Sequence, residues 1–159
     1  MTVFSSSTET SSVVKADRAA IWAALTDPVL LPRLTPFLQS ISVSSDERGE
    51  LWHWQLSRIP VLGVSVVPAF TERMTFDEPE RIDFVHEPPA GETQRAGVAG
   101  RYDLAETSGG TALSIALSVS VDLPLSRLAA PAVGIAMKGV IATMGVRFSA
   151  NLLRHLGLD

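Results

Sequence analysis

Residues 124–156 read PLSRLAAPAVGIAMKGVIATMGVRFSANLLRHL, and the interpretation of this stretch decides the fold. Val133, Met137, Ile141, Met144, Phe148 and Leu152 recur at helical spacing, with Lys138, Arg147 and Arg154 off that line. Ala132, Ala136, Gly139, Thr143 and Ala150 form a second line of small side chains. A helix that fills a core needs large residues on its buried face, whereas one that lines a cavity can use small ones and flexible Met. From Leu128 to Val146 the only charge is Lys138, so the segment is nearly long enough to span a bilayer. Pro131 and the mid-segment lysine argue against spanning. Transient contact with a membrane surface, or pairing of two copies into a homodimer, are the interactions that such a helix allows besides a monomeric packed state.

What precedes the helix alternates with the period of strands. Val3 to Val14 is rich in Ser, Thr and Val and reads as one. Asp17 is an expected N-cap for a helix over Arg18 to Thr26, with Ile21, Trp22 and Leu25 on its apolar face. Asp27-Pro28 ends it, and a second short helix is expected from Val29 to Leu38, bounded by Pro32 and Pro36. Strands follow at Ile41 to Ser45, Leu51 to Ser57, Val64 to Phe76, Arg81 to Glu87, Thr93 to Glu106 and Thr111 to Leu123. In the last of these, Leu113, Ile115, Leu117, Val119 and Val121 oppose small residues, after the turn signal Ser108-Gly109-Gly110. One apolar and one small-polar face imply an antiparallel sheet covered on one side. A strand, two short helices, six strands and a long helix make an α+β fold, in which a twisted sheet can wrap around a single helix.

Length and composition limit the classes of function. The chain has 159 residues, which suits one domain spanning 1–159; 46% are hydrophobic and 19% charged. Its net charge is −4 with no basic run, which argues against nucleic acid as a partner. There is no cysteine, hence no disulfide framework, thiolate metal site or Cys nucleophile. Met1 to Ser12 lacks an apolar signal core, so a cytoplasmic location is the default expectation. No phosphate loop, nucleophile elbow or metalloprotease motif occurs, and the three histidines are far apart in sequence, so neither a metal nor another cofactor is expected.

Three local motifs carry a family resemblance. Val13 to Pro28, Val-Val-Lys-Ala-Asp-Arg-Ala-Ala-Ile-Trp-Ala-Ala-Leu-Thr-Asp-Pro, is similar to the strand, Ala-Pro, helix and Asp-Pro opening of the START-like, or SRPBCC, superfamily. Asp17 stands where that superfamily often has Pro. Asp77-Glu78-Pro79-Glu80-Arg81-Ile82 resembles its Pro-containing hairpin, and Gly109-Gly110-Thr111-Ala112-Leu113 its turn before the last strand. The resemblance extends to the polyketide cyclase/dehydrase group and the birch-pollen-allergen fold. It implies a helix-grip architecture, in which a curved antiparallel sheet of about seven strands surrounds a long C-terminal helix, with a hydrophobic cavity between them. It implies no single activity, since such proteins include lipid carriers, cyclases and hydrolases.

The hairpin at Pro79 fixes a register. Apolar faces require Phe76 opposite Ile82 and Met74 opposite Phe84, which sets Glu72 opposite His86 on the covered face. A carboxylate and an imidazole in an apolar pocket can do acid–base work or anchor a polar ligand head. The same pair at a hairpin end is otherwise a marginal ion pair or a satisfied buried one. Trp52, Trp54, Phe70 and Tyr102 phase to that side too, as ordinary core or as aromatic walls for a ligand, and the Tyr102 hydroxyl needs a partner there. His53 and His155 are expected in solvent, and Arg101 and Asp103 form an outer solvated pair. The expected function is binding of a hydrophobic small molecule, such as a lipid or polyketide-like compound, by a carrier or sensor. Its site comprises Trp52, Trp54, Phe70, Glu72, Met74, Phe84, His86, Tyr102, Met137, Ile141 and Met144. The alternative is a cyclase/dehydrase-type enzyme in which Glu72, His86 and Tyr102 are the candidate acid–base groups.

Overall fold

A computed structural model describes residues 1–158. The chain runs β1 (Thr2–Val14), α1 (Arg18–Leu25), α2 (Leu31–Leu34), β2 (Leu38–Asp46), β3 (Gly49–Leu56), β4 (Ile59–Val61) and β5 (Val64–Val66). It continues through β6 (Ala69–Asp77), β7 (Arg81–His86), β8 (Ala96–Thr107) and β9 (Gly110–Leu123) to the 26-residue helix α3 (Ala130–His155). Seven strands form one antiparallel sheet in the order β1-β9-β8-β7-β6-β3-β2, and β4 and β5 make a separate small hairpin. This is the α+β architecture that the alternating strands and the terminal helix imply, in the helix-grip form that the resemblance implies.

Several boundaries differ from the sequence reading, each for a local reason. The stretch Val64 to Phe76 is two strands in two sheets, because Pro68 cannot donate to a ladder and the chain turns there. The helix expected over 29–38 is a single turn at Leu31–Leu34. Its entry is fixed by Asp27, whose Oδ1 accepts from the N–H groups of Val29 and Leu30 at 2.9 and 3.0 Å. Asp17 precedes α1 as expected, but its side chain makes no capping bond. The terminal helix starts at Ala130 rather than Pro124, after a short 3-10 turn, Arg127–Ala129, in which Ser126 Oγ accepts from Leu128 N–H at 3.2 Å. The strand read from Thr93 begins at Ala96, leaving 87–95 as a loop.

Helix α3 is pinned at its two ends. Near its start Val133 and Met137 are buried with Phe4, Val121 and Leu123 of the outer strands. Near its end Leu152 packs with Ala24 of α1 and Leu34 of α2, and Asn151 Nδ2 donates to the Leu34 carbonyl at 2.9 Å. Between these anchors the inner residues Val140, Met144 and Phe148 are only half-buried. The sheet residues of the same cluster, Trp54, Val98, Tyr102, Ile115, Leu117 and Val119, are half-buried too. A tightly packed helix–sheet contact would remove both sides from solvent. Helix α3 is therefore held by the sheet near its start and by α1 and α2 near its end, and along its middle both its inner residues and the sheet residues of the same cluster stay half-buried.

The outer face carries a charged lock. Arg73, buried on β6, donates to Asp46 at 2.6 and 2.8 Å and to Glu87 at 2.7 and 3.4 Å, and Arg48 reaches Glu87 at 3.0 Å. The network ties the β2–β3 turn to the end of β7. Asp103 is shared by Arg81 at 2.7 Å and Arg101 at 3.1 Å, so the expected Arg101–Asp103 pair exists within a three-residue set.

Candidate functional site

The expected register is realised, but only Glu72 of the expected pair faces the covered side; the His86 ring lies over Gly97 on the other side. Glu72 lies opposite His86 on one side and Trp52 on the other, with Met74 opposite Phe84 and Phe76 opposite Ile82. Trp52, Phe70, Met74, Phe84 and Met137 are buried in one cluster, against which Trp54, Tyr102 and Met144 pack half-buried. The rings form two groups, one around Trp52, Trp54 and Phe70 and one of Phe84 with Tyr102. Trp54 stacks on Phe70 with centroids 6.0 Å apart, Trp52 lies 6.3 Å from Trp54, and Phe84 lies 5.2 Å from Tyr102. Ile141 is half-buried but does not join the cluster; Val140 takes that place on the helix. Val140 was legible at i+3 from Met137 and i+7 from the same turn's Val133, and the choice between it and Ile141 depended on the helix rotation.

Glu72 is the unusual group. It is 2% exposed, and its Oε1 has no hydrogen-bond partner among the described residues. Burial pushes its carboxyl up to about 8, so the acid is largely protonated near neutral pH. The indole N–H of Trp54, its diagonal neighbour across β3 and β6, lies near enough to oppose that rise slightly. No hydrogen bond closes between them: Trp54 Nε1 is also buried without a partner. Burial raises the Tyr102 hydroxyl as well, with the Glu72 charge adding to the effect. Two orphaned polar atoms and a phenol thus share an otherwise apolar wall, an arrangement that protein interiors ordinarily avoid.

His86 is committed elsewhere. No hydrogen bond or ion pair joins it to Glu72 among the described residues; its Nε2 lies 3.0 Å from Gln94 Oε1. Gln94 also accepts from the backbone N–H of Thr71 at 2.8 Å and donates to Thr71 Oγ1 at 2.9 Å. A backbone N–H needs an acceptor, so the amide orientation of Gln94 is fixed, and His86 Nε2 must be the donor. From Thr71 Oγ1 the chain of bonds continues to His53 Nδ1 at 2.9 Å and from His53 Nε2 to Ser44 Oγ at 3.0 Å. His53 is therefore half-buried and bonded rather than free in solvent. The reason is the fork of the sheet. β7 and β8 pair from Arg81 to Phe84 and then part, and the His86 ring fills the gap over Gly97, where a Cβ would strike it. Gln94, which the sequence places in a strand from Thr93, lies instead in the loop before β8, and nothing in the sequence marked it as a partner of His86.

Gln94 stands in for a missing strand at Thr71. Replacing Gln94 by Ala should leave the Thr71 N–H, on a residue 1% exposed, without a partner, at a cost of about 1–3 kcal/mol. Amide exchange at Thr71 should accelerate and protease cleavage should appear within 88–95. Unchanged exchange at that amide would refute the assignment.

Two surface depressions accompany these features. The larger, about 280 Å³, lies over Gly100 among Asp83, Val85, Ala99 and Arg101, on the outer face and away from Glu72. The other, about 220 Å³, is bounded by His53, Trp54, Thr71, Glu92 and Gln94 beneath the 87–95 loop. The second lies beside Trp54, whereas the first is remote from the polar groups. No group of three or more His, Asp or Glu residues suited to a metal ion occurs among the described residues.

By sequence the chain matches no family model and no curated protein. Its fold is matched by solved structures. It is similar to the Zhui aromatase/cyclase from Streptomyces sp. R1128, with a TM-score of 0.70 at 13% identity over 96% of this chain and 94% of that one. The di-domain ARO/CYC StfQ of the steffimycin biosynthetic pathway gives 0.68 at 10% identity over 97% of this chain, which spans about half of that protein (51%). A START superfamily protein from Mycobacterium smegmatis gives 0.64 at 16% identity, with coverage of 98% and 97%. The chain therefore has the helix-grip fold of START-like proteins and polyketide aromatase/cyclases.

Proposed function

We propose that this protein binds a hydrophobic small molecule, of lipid or polyketide-like character, between the middle of α3 and the sheet, as a carrier or sensor. The observation that supports this most directly is the buried, unpartnered carboxyl of Glu72 among the aromatic residues of the sheet, in a cluster where the middle of α3 is only half-buried. Trp54 contributes a second orphaned donor beside it. A protonated Glu72 and an indole N–H can both donate to one acceptor, so the ligand recognised best is apolar with a carbonyl or ether oxygen. Apolar contacts supply most of the affinity and the two donors supply orientation.

The test uses displacement of a fluorescent apolar probe, with an aromatic ketone and its deoxygenated analogue of equal size as competitors. The ketone should compete about tenfold better, which is the worth of one good buried hydrogen bond. Glu72→Leu should abolish that preference while leaving the hydrocarbon's competition intact. Failure of every apolar compound to displace the probe, with no apolar molecule co-purifying, would overturn the reading.

A cyclase/dehydrase-type reaction in the same space is the second reading. It is favoured by one feature, that the buried Glu72, its carboxyl pushed up to about 8, lies close enough to Tyr102 for its charge to raise the phenol. In this reading Glu72 serves as the acid–base group and Tyr102 as a donor to substrate oxygen, with His86 engaged by Gln94 instead. Turnover of a poly-β-ketone substrate that is lost in Glu72→Gln and retained in His86→Gln would favour it over simple binding.

A further inference from the structure

Helix α3 is apolar on both faces, and the fold uses only one. Opposite the inner row, Ile135, Gly139, Ala142 and Val146 succeed one another at steps of four, three and four residues, all exposed. Leu128 continues the row into the preceding turn. Leu128 is 92% exposed, Ile135 75% and Val146 70%. A helix on the surface of a soluble domain ordinarily carries its charge on this side. Here the charges flank the row instead. At 3.6 residues per turn Lys138 falls on one side of it and Arg147 and Arg154 on the other, with Arg127 at its start. All four charged residues between Pro124 and Leu158 are basic, in a chain whose net charge is −4.

We propose that this outer face of α3 docks on a lipid bilayer surface bearing anionic headgroups. Leu128, Ile135 and Val146 enter the boundary between headgroups and acyl chains, and Arg127, Lys138, Arg147 and Arg154 meet the phosphates. The helix is long and apolar enough to cross a membrane by length and composition. It lies on the surface instead, because Val133, Met137 and Leu152 of its inner face close the core, and withdrawal would expose that core to water. Charge complementarity selects lipid over a second copy. A two-fold dimer through this face would set two acid-free cationic helices against each other, whereas anionic headgroups neutralise them. Docking sets the space behind α3 one helix diameter from the bilayer, whatever that space holds.

Flotation with phosphatidylcholine vesicles, with and without roughly one-third phosphatidylglycerol, tests the proposal. Binding should appear with the anionic vesicles and fall at high salt. Lys138→Gln with Arg147→Gln should weaken it roughly thirty-fold, and Ile135→Ser with Val146→Ser at least tenfold, with unchanged circular dichroism. The absence of native cysteine permits single-site labels. An environment-sensitive dye on Ala142→Cys should shift to shorter wavelength on anionic vesicles, and one on Ser45→Cys, on exposed β2, should not. Three results would overturn the proposal: no binding, equal binding to neutral and anionic vesicles, or a solution dimer that the Ile135 and Val146 substitutions dissolve.

Discussion

Between pH 5 and pH 9 the wild-type protein should lose on the order of 4 kcal/mol of stability that the Glu72→Gln variant keeps. The cause is the difference between a carboxyl at 4.5 in the unfolded chain and at about 8 in the folded one. Below pH 4.5 both states carry the proton and the group is silent. Between the two values the folded state binds more protons than the unfolded state, so stability falls as pH rises. Above pH 8 both are ionised, and the penalty for a buried charge without a partner is complete. Gln has nearly the same shape and does not titrate. The gap in melting temperature between variant and wild type should therefore widen by roughly 10 °C across this range. Parallel melting curves at all pH values would show that Glu72 is not a buried, unpaired acid. The difference curve isolates Glu72 from the Arg73 network, which acts at the other end of the scale. Arg73 beside Asp46 holds that carboxyl at about 2, from an ordinary 3.8, so its contribution is full above pH 4 and disappears as the pH falls toward 2. The wild-type protein should accordingly be most stable near pH 4–5, where Glu72 is neutral and Asp46 still charged.

The second large effect is expected at Gly100, and Gly97 supplies its control. Gly100 pairs with Phe84 on one side and Leu117 on the other, at the last rung before β7 and β8 part. A Cβ there would collide with the carbonyl oxygen of Ala116, a backbone atom of β9, and press on the Phe84 ring. Relief requires shifting the β8–β9 ladder itself, so Gly100→Ala should cost about 3 kcal/mol or more and lower the melting temperature by roughly 10 °C. At Gly97 the obstacle is the His86 imidazole, a side chain that can rotate away. Gly97→Ala should therefore cost about 1 kcal/mol while breaking the His86–Gln94 bond, visible as a changed imidazole resonance. Equal destabilisation by the two substitutions would contradict the distinction between a backbone and a side-chain obstacle.

Much of the fold was legible because its signals are periodic. The alternation of Leu113 to Val121 and the Pro79 hairpin placed Phe76 opposite Ile82, and the same count carried Glu72 to its position opposite His86. A period of two leaves no freedom once one rung is set. The breaks were harder. Val64 and Val66 share the phase of Phe70, so the alternation reads through Pro68, although the chain there passes from one sheet to another. From Val29 the apolar residues suggest a longer helix, yet they serve the packing of a single turn against the end of α3.

The sequence by itself determined the order of the long elements, the register of the central hairpin, and which face of β3 and of β6 to β9 is covered, since these follow from side-chain periodicity along one chain. Only the tertiary structure decided what the polar groups do. Opposite positions on paired strands put Glu72 and His86 in register, yet the parting of β7 and β8 gave the imidazole a nearer partner in Gln94, from a loop that the sequence reads as the start of a strand. Glu72 was left with a buried oxygen and no partner, and its acidity follows from that enclosure rather than from its neighbours in the chain. The terminal helix shows the same division. Its composition marked it as apolar, but whether a given apolar residue closes the core, lies in the half-buried middle or faces outward depends on where the sheet and the two short helices grip it.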